Sequence, residues 1–297
     1  MDALARLHAQ PFSTRQALGV VTPDQLRGPR YRRLMRGAHQ TADADTGHGR
    51  QIQAFRVTHP HAFVLLGHSA AWAHGATFAA GTDPVVVSVP SSHQLRRTAA
   101  VHPHVGRLDP DDVVLTPLGP ATRLGRTAFD LARGTGSSST DVDDRVVEVD
   151  ALLRSTPLGL EAARAVLDGA AGLRGVRRAR EVLGLAREGV DSPPETRLRL
   201  LLVRAGLPDP VTQCPVEDRW GRTVARLDLG WPDLRLGCEY DGEVHLGARQ
   251  VRVDLRRHND IREAGWVVLQ VDRHQMRRPD EIVRQVLSLV AARRRST

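Results

Sequence analysis

The sequence predicts a multi-domain α/β protein, and three observations carry that expectation. The chain has 297 residues, more than one ordinary domain needs. Residues 191–297 read as helix, three strands, helix, strand and helix, an α-β-β-β-α-β-α order that calls for a mixed sheet. Residues 1–50 read as two short capped helices followed by a basic stretch, the pattern of a winged helix-turn-helix. Residues 51–190 lie between them as an α+β domain ending in a helical connector. With 41% hydrophobic residues, the composition supports packed cores throughout.

In the first part, Ser13 or Thr14 caps a helix through Ala17 and Leu18 that Gly19 ends. Thr22 caps a second, with Pro23 at its first helical position. Arg27, Arg30, Arg32, Arg33 and Arg36 come within ten residues, with Tyr31 among them. On a helix-turn-helix these arginines suit DNA phosphates; on a plain helical hairpin they suit a solvated face.

In the middle part, Phe63–Leu66 and Val85–Val89 read as buried strands, and Ser69–His74 and Thr127–Ala132 as short helices. Residues 142–188 read as helical, and Arg174–Arg187 as a basic connector or a second phosphate-facing surface. His59, His61, His68, His74, His93, His102 and His104 match no standard zinc spacing.

The third part opens on Ser192-Pro193-Pro194-Glu195, a capping box that starts an amphipathic helix through Ala205. A strand near Thr212–Glu217 precedes a hairpin over 223–241. A turn centred on Pro232–Arg235 sets Trp231 opposite Leu236, Leu229 opposite Cys238 and Asp228 opposite Glu239. Side chains alternate along a strand, so Leu229, Trp231, Leu236, Cys238 and Tyr240 share an apolar face, and Asp228, Glu239 and Asp241 share the other. Opposed Cβ atoms lie roughly 5 Å apart, so two carboxylates there repel unless a cation sits between them. A loop with His245, a helix from about Arg249 to Ala264, a strand Trp266–Val271 and a helix from Pro279 complete the part.

Charge narrows the function classes. The formal net charge is +8 and the pI about 10.9, a balance that steers polyanions. All 42 basic residues are arginine, which excludes a Walker-A lysine, a Schiff-base lysine and any nuclease lysine. No apolar run is long enough to span a membrane. The N-terminus lacks a secretory pattern, and two cysteines make no disulfide framework. The expected location is the cytoplasm.

The last hundred residues resemble the restriction-endonuclease-like, or PD-(D/E)xK, nucleases, and within them the relatives of very-short-patch-repair endonucleases. The residues that carry this are Asp228, Glu239-Tyr240-Asp241-Gly242, His245, Asp254-Leu255-Arg256-Arg257 and Ala264-Gly265-Trp266-Val267-Val268-Leu269. The resemblance implies a DNA endonuclease using Mg²⁺ or Mn²⁺, with Asp228, Glu239 and the Tyr240 carbonyl as metal ligands. Glu195 would be an outer acidic member of the site, and His245 a general base or a donor to the leaving oxygen. Asp254 and Arg257, three apart on a helix, can pair, with Arg257 also able to reach a phosphate. The third motif position, usually lysine, is Asp241; very-short-patch-repair enzymes also lack that lysine and rely on histidine.

The first two parts resemble the abortive-infection antitoxin family AbiEi. Thr14-Arg15-Gln16-Ala17, Arg32-Arg33-Leu34-Met35-Arg36-Gly37, His68–Gly75 and Arg126–Ala132 carry this by their order along the chain. It implies a DNA-binding role and a toxin partner. Two functions therefore compete: a metal-dependent endonuclease, or a DNA-binding regulator whose nuclease fold is a binding platform. Asp228, Glu239 and His245 around one cavity favours the first; carboxylates splayed apart or neutralised by arginines favours the second.

Overall fold

The computed structural model describes residues 3–60, 63–78, 82–90, 95–105, 108–136, 139–170, 172–242 and 248–296. It is mixed α/β with three sheets, and it divides into two compact units, Met1–Gly184 and Leu185–Thr297.

The first unit begins with α1 (Ala3–His8), β1 (Phe12–Ser13), α2 (Thr14–Ala17), α3 (Pro23–Arg27), β2 (Tyr31–Met35) and β3 (Ala38–Thr41). Both α2 and α3 start in full capping boxes: Ser13 with Gln16, and Thr22 with Gln25. The strands form a sheet in the order β1-β3-β2, and Gly37 takes φ 80° in the turn from β2 to β3. Leu7, Phe12, Ala17, Val21 and Tyr31 make a small core here. Met35 and Ala38 instead join the larger core of Ile52, Phe55, Leu65, Val85 and Val87. That shared core ties residues 1–50 to the larger part of the first unit.

That larger part contains α4 (His48–Thr58), β4 (Val64–Leu65), α5 (Gly67–Ala73), β5 (Val85–Val89), β6 (Val101–Val105), β7 (Val113–Thr116), β8 (Gly119–Thr122) and α6 (Leu124–Arg133). Its sheet runs β6-β5-β4-β8-β7. The expected helical stretch 142–188 is three helices, α7 (Val142–Ser155), α8 (Leu160–Asp168) and α9 (Val176–Leu185). Pro157 and Gly159 interrupt it once, and Gly169, Gly172 and Gly175 interrupt it again.

The second unit orders its elements α10 (Pro193–Arg204), β9 (Val211–Glu217), β10 (Thr223–Trp231), β11 (Leu236–Asp241), α11 (Ala248–Glu263), β12 (Val267–Asp272) and α12 (Pro279–Ser296). The sheet runs β12-β11-β10-β9. β9, β10 and β11 are antiparallel, and β12 lies parallel to β11. A parallel neighbour needs a crossover, and α11 supplies it. The β10–β11 register is Leu229 with Cys238, Gly230 with Gly237 and Trp231 with Leu236. Arg235 closes the turn at φ 44°. The paired glycines are required by close approach: a Cβ on Gly230 would lie 2.5 Å from Cys214, and one on Gly237 2.4 Å from Leu227.

Leu229, Trp231, Leu236 and Cys238 share a core with Leu198 and Leu202 of α10 and Ile282 and Val286 of α12. Tyr240 is half-buried and outside that cluster. A second cluster joins Cys214, Val216, Ala225 and Leu227 to Ile261 of α11 and Trp266. No described helix is long and apolar enough to cross a membrane.

Candidate active site of residues 185–297

Asp228, Glu239 and Glu195 come from three elements and act on one another electrostatically. Asp228 is the centre. The strand ladder of the hairpin ends at Leu229–Cys238, one position before Asp228 and Glu239 would pair. The Asp228 carboxylate continues it instead, its Oδ2 accepting the Tyr240 backbone N–H at 2.7 Å. Burial pushes the Asp228 pKa up to about 6; Glu195 and Glu239 push the same way, while the Tyr240 bond and Arg257 oppose. A carboxylate in that position is short of positive charge.

Glu239 is buried on β11, and Arg257 of α11 grips it with both arms. Arg257 Nη1 donates to Oε2 at 3.2 Å and Nη2 donates to Oε1. The same Nη2 donates to the Arg226 carbonyl at 2.7 Å. The expected reach of Arg257 towards a phosphate is therefore replaced by a fork on Glu239, because the crossover lays α11 along β10. Bidentate pairs of this kind are the strong ones.

Glu195 is buried at the start of α10. Its Oε1 accepts the Ser192 hydroxyl at 2.7 Å and its Oε2 accepts the Asp191 N–H at 2.9 Å. Ser192 Oγ accepts the Glu195 N–H at 3.4 Å. The cap is one residue longer than the expected box, and it aims a negative charge at Asp228. Asp241 is exposed at the end of β11, in register with Asp272 of β12. His245 and the side chain of Asp254 fall outside the described residues. Among the described residues, no group of three or more His, Cys, Asp or Glu side chains is arranged to hold a metal ion.

The structure adds a histidine that sequence reasoning passed over. His258 of α11 is exposed, and its Nε2 lies 2.7 Å from Gln270 Nε2. Gln270 is paired in register with Glu239, and paired residues project to the same side of a sheet. His258 is thereby held at the carboxylate end of β11, next in sequence to Arg257. Its signal in the sequence is the Arg257-His258 pair one turn beyond Asp254, on the helix already expected there.

A second feature is the tip of the β9–β10 hairpin. Asp218 accepts the N–H groups of Trp220 and Arg222 and pairs with the Arg222 guanidinium. Trp220 is held outward, 64% exposed, with Arg219 and Arg222 guanidinium carbons 4.0 and 4.9 Å from its ring centre. Five steps along β10, about 17 Å, separate Thr223 from Asp228.

Of the N-terminal arginines, Arg27, Arg30, Arg32, Arg33 and Arg36 are all exposed. Arg27 pairs with Asp24 of its own helix, and Arg32 donates to the Ala42 carbonyl at 3.1 Å. The motifs around His68 and Arg126 serve packing. Ser69 joins His48 at 2.9 Å and accepts the Val86 N–H, and Asp130 is buried between Arg126 and Arg133.

No known family profile matches the chain. Two curated proteins of Mycobacterium tuberculosis, the uncharacterized proteins MT2308 and Rv2248, are each 34% identical to it over 135 residues, covering 44% of this chain. The chain's match spans 48% of those relatives, about half their length. The crystal structure of the RV2827C protein from Mycobacterium tuberculosis covers 72% of this chain and 82% of its own, at 18% identity and a TM-score of 0.41. A likeness at that score supports no inference about function.

Proposed function

We propose that residues 185–297 form a restriction-endonuclease-like domain that hydrolyses DNA phosphodiester bonds with Mg²⁺ or Mn²⁺, and that residues 1–50 are a winged helix-turn-helix that holds DNA. The observation that carries this is Asp228: a half-buried carboxylate lifted to about 6 beside two more carboxylates. Such crowding costs stability, and proteins keep it where a cation or a proton is used. The donor set fits a hard divalent ion, which takes oxygen ligands. Asp228 and Glu239 would hold it, with the Tyr240 carbonyl beside them; Glu195 would act from outside through its charge. The bound ion would polarise a phosphate and make water a better nucleophile.

The chain's own side chains have separate tasks. Arg257 holds Glu239 in place and would have to yield part of its fork for Glu239 to hold a cation. His258 stands at this end of the sheet by register, and His245 comes four residues after Asp241 in the sequence. Either imidazole would serve as the general acid or base, the role histidine fills most often. Trp220, with Arg219 and Arg222 over its ring, would offer a stacking surface for a base. The exposed arginines of 27–36 supply phosphate contacts.

The Arg257–Glu239 fork is the specific observation that favours the second reading, a DNA-binding regulator of antitoxin type acting with a toxin partner. There the arginine replaces the metal permanently and the domain only binds. Supercoiled plasmid incubated with Mg²⁺ or Mn²⁺ separates the two. Metal-dependent nicking by the parent, lost in Asp228→Asn, is expected. An intact plasmid that both proteins retard on a gel would overturn the nuclease and leave the regulator.

A further inference from the structure

A cleft of about 710 Å³ in the first unit gathers His104 of β6, Arg133 at the end of α6, and Arg174, Arg177 and Arg178 at the start of α9. Among the described residues no acidic side chain lines it. The three arginines of 174–178 are exposed. Arg133 gives Nη2 to Asp130 at 2.6 Å, but Asp130 is already shared with Arg126. The Nε of Arg133 and the Nε2 of His104 are buried with no hydrogen-bond partner. Buried polar atoms are nearly always paired, so two orphans in one cleft need a reason.

More positive charge stands behind it. The guanidinium of Arg145 lies directly under Gly134, where a Cβ would come within 2.3 Å of it. Arg145 is 4% exposed, donates Nη2 to the Ser139 carbonyl at 2.9 Å, and leaves Nε and Nη1 unpartnered. Burial and the charge of Arg178 push its pKa down. The carboxylate that offsets it, Glu148, is itself raised to about 7 by burial, so near neutrality it is a weak counter-ion. Arginine forks match phosphate oxygens, the start of a helix favours an anion, and the cleft is within the range of small-ligand sites.

We propose that this cleft binds a ligand bearing two or more phosphate groups, gripped by Arg133, Arg174, Arg177 and Arg178 with His104 at its edge. One phosphate carries a charge of about −2 at most, against four guanidinium groups at the cleft; a chain of phosphates carries enough to match them. The site belongs to residues 1–184 and does not rest on the nuclease proposed for 185–297.

Calorimetric titration of the full chain with sodium triphosphate in about 0.15 M salt tests it. Saturable one-to-one binding is expected, weakened about tenfold or more in Arg174→Ala/Arg177→Ala/Arg178→Ala, since each lost charge-assisted contact weighs heavily. These residues are exposed, so the variant folds, which its melting curve verifies. No saturable heat, equal binding by the variant, or the same signal from sodium chloride at matched ionic strength would each overturn the site. Adenosine triphosphate binding more tightly than triphosphate would assign a nucleotide. Displacement of triphosphate by an oligothymidylate of about ten nucleotides would assign a nucleic-acid backbone, and neither result would assign free polyphosphate.

Discussion

Replacing Asp228 by Asn separates charge from shape. The amide keeps an oxygen for the Tyr240 N–H, now at 2.7 Å, and removes the charge that Glu195 and Glu239 oppose. The folded pKa of about 6 stands above the ordinary 3.8, so the folded state holds its proton more tightly than the unfolded chain. The stability this contributes is full below about pH 4 and is lost as the pH rises through 6. Asp228→Asn is therefore expected to be more stable than the parent above pH 6, by about 1 kcal/mol in so partly screened a site, with the gap closing towards pH 4. Urea melts at pH 4.5 and pH 8 read this directly; a variant less stable at pH 8 would show that the charge is already compensated. The hairpin register was legible in the sequence as far as Leu229–Cys238, because strand alternation and a proline turn fix which residues oppose; the next expected pair, Asp228 with Glu239, gives way to the bond from Tyr240 N–H to Asp228. His258 was not legible, because its partner Gln270 lies on another strand and only the crossover brings them together.

At the scale of elements, α11 decides what the carboxylates can hold. Arg257→Met removes one half of a mostly buried ion pair and leaves Glu239 uncompensated, at an expected cost of about 2 kcal/mol. If the carboxylates form a cation site, Mn²⁺ restores stability to this variant in a concentration-dependent way and to a greater degree than in the parent. The double variant with Asp228→Asn should not respond. Thermal melts across a Mn²⁺ series decide it, and an equal response in parent and Arg257→Met would count against the cation site. Helix caps read clearly from Ser13, Thr22 and Ser192, each a hydroxyl ahead of a glutamine or glutamate. In the middle sheet β4 and β5 read clearly as apolar runs, and β6 and β8 read poorly. β6 is Val-His-Pro-His-Val and β8 is Gly-Pro-Ala-Thr, compositions that suggest turns. Pro103 is tolerated because β6 is an edge of the sheet. The Arg257 fork could not be read either: spacing along a helix offers Asp254 as a neighbour, and nothing local reveals a partner on β11.

For the whole molecule, the division into Met1–Gly184 and Leu185–Thr297 distributes the chemistry unevenly. Both cysteines, Cys214 and Cys238, are free, buried and in the second unit. Burial pushes the Cys238 thiol up to about 12 and raises Cys214 as well, so neither presents a thiolate while that unit is closed. A thiol-reactive dye is thus a clock for the opening of residues 185–297. Mn²⁺ should slow the clock and triphosphate should leave its pace unchanged; a slowing by triphosphate would reveal that the two units open as one. No cysteine had to be engineered for this: the protein carries its own stopwatch, wound into the half where the carboxylates meet.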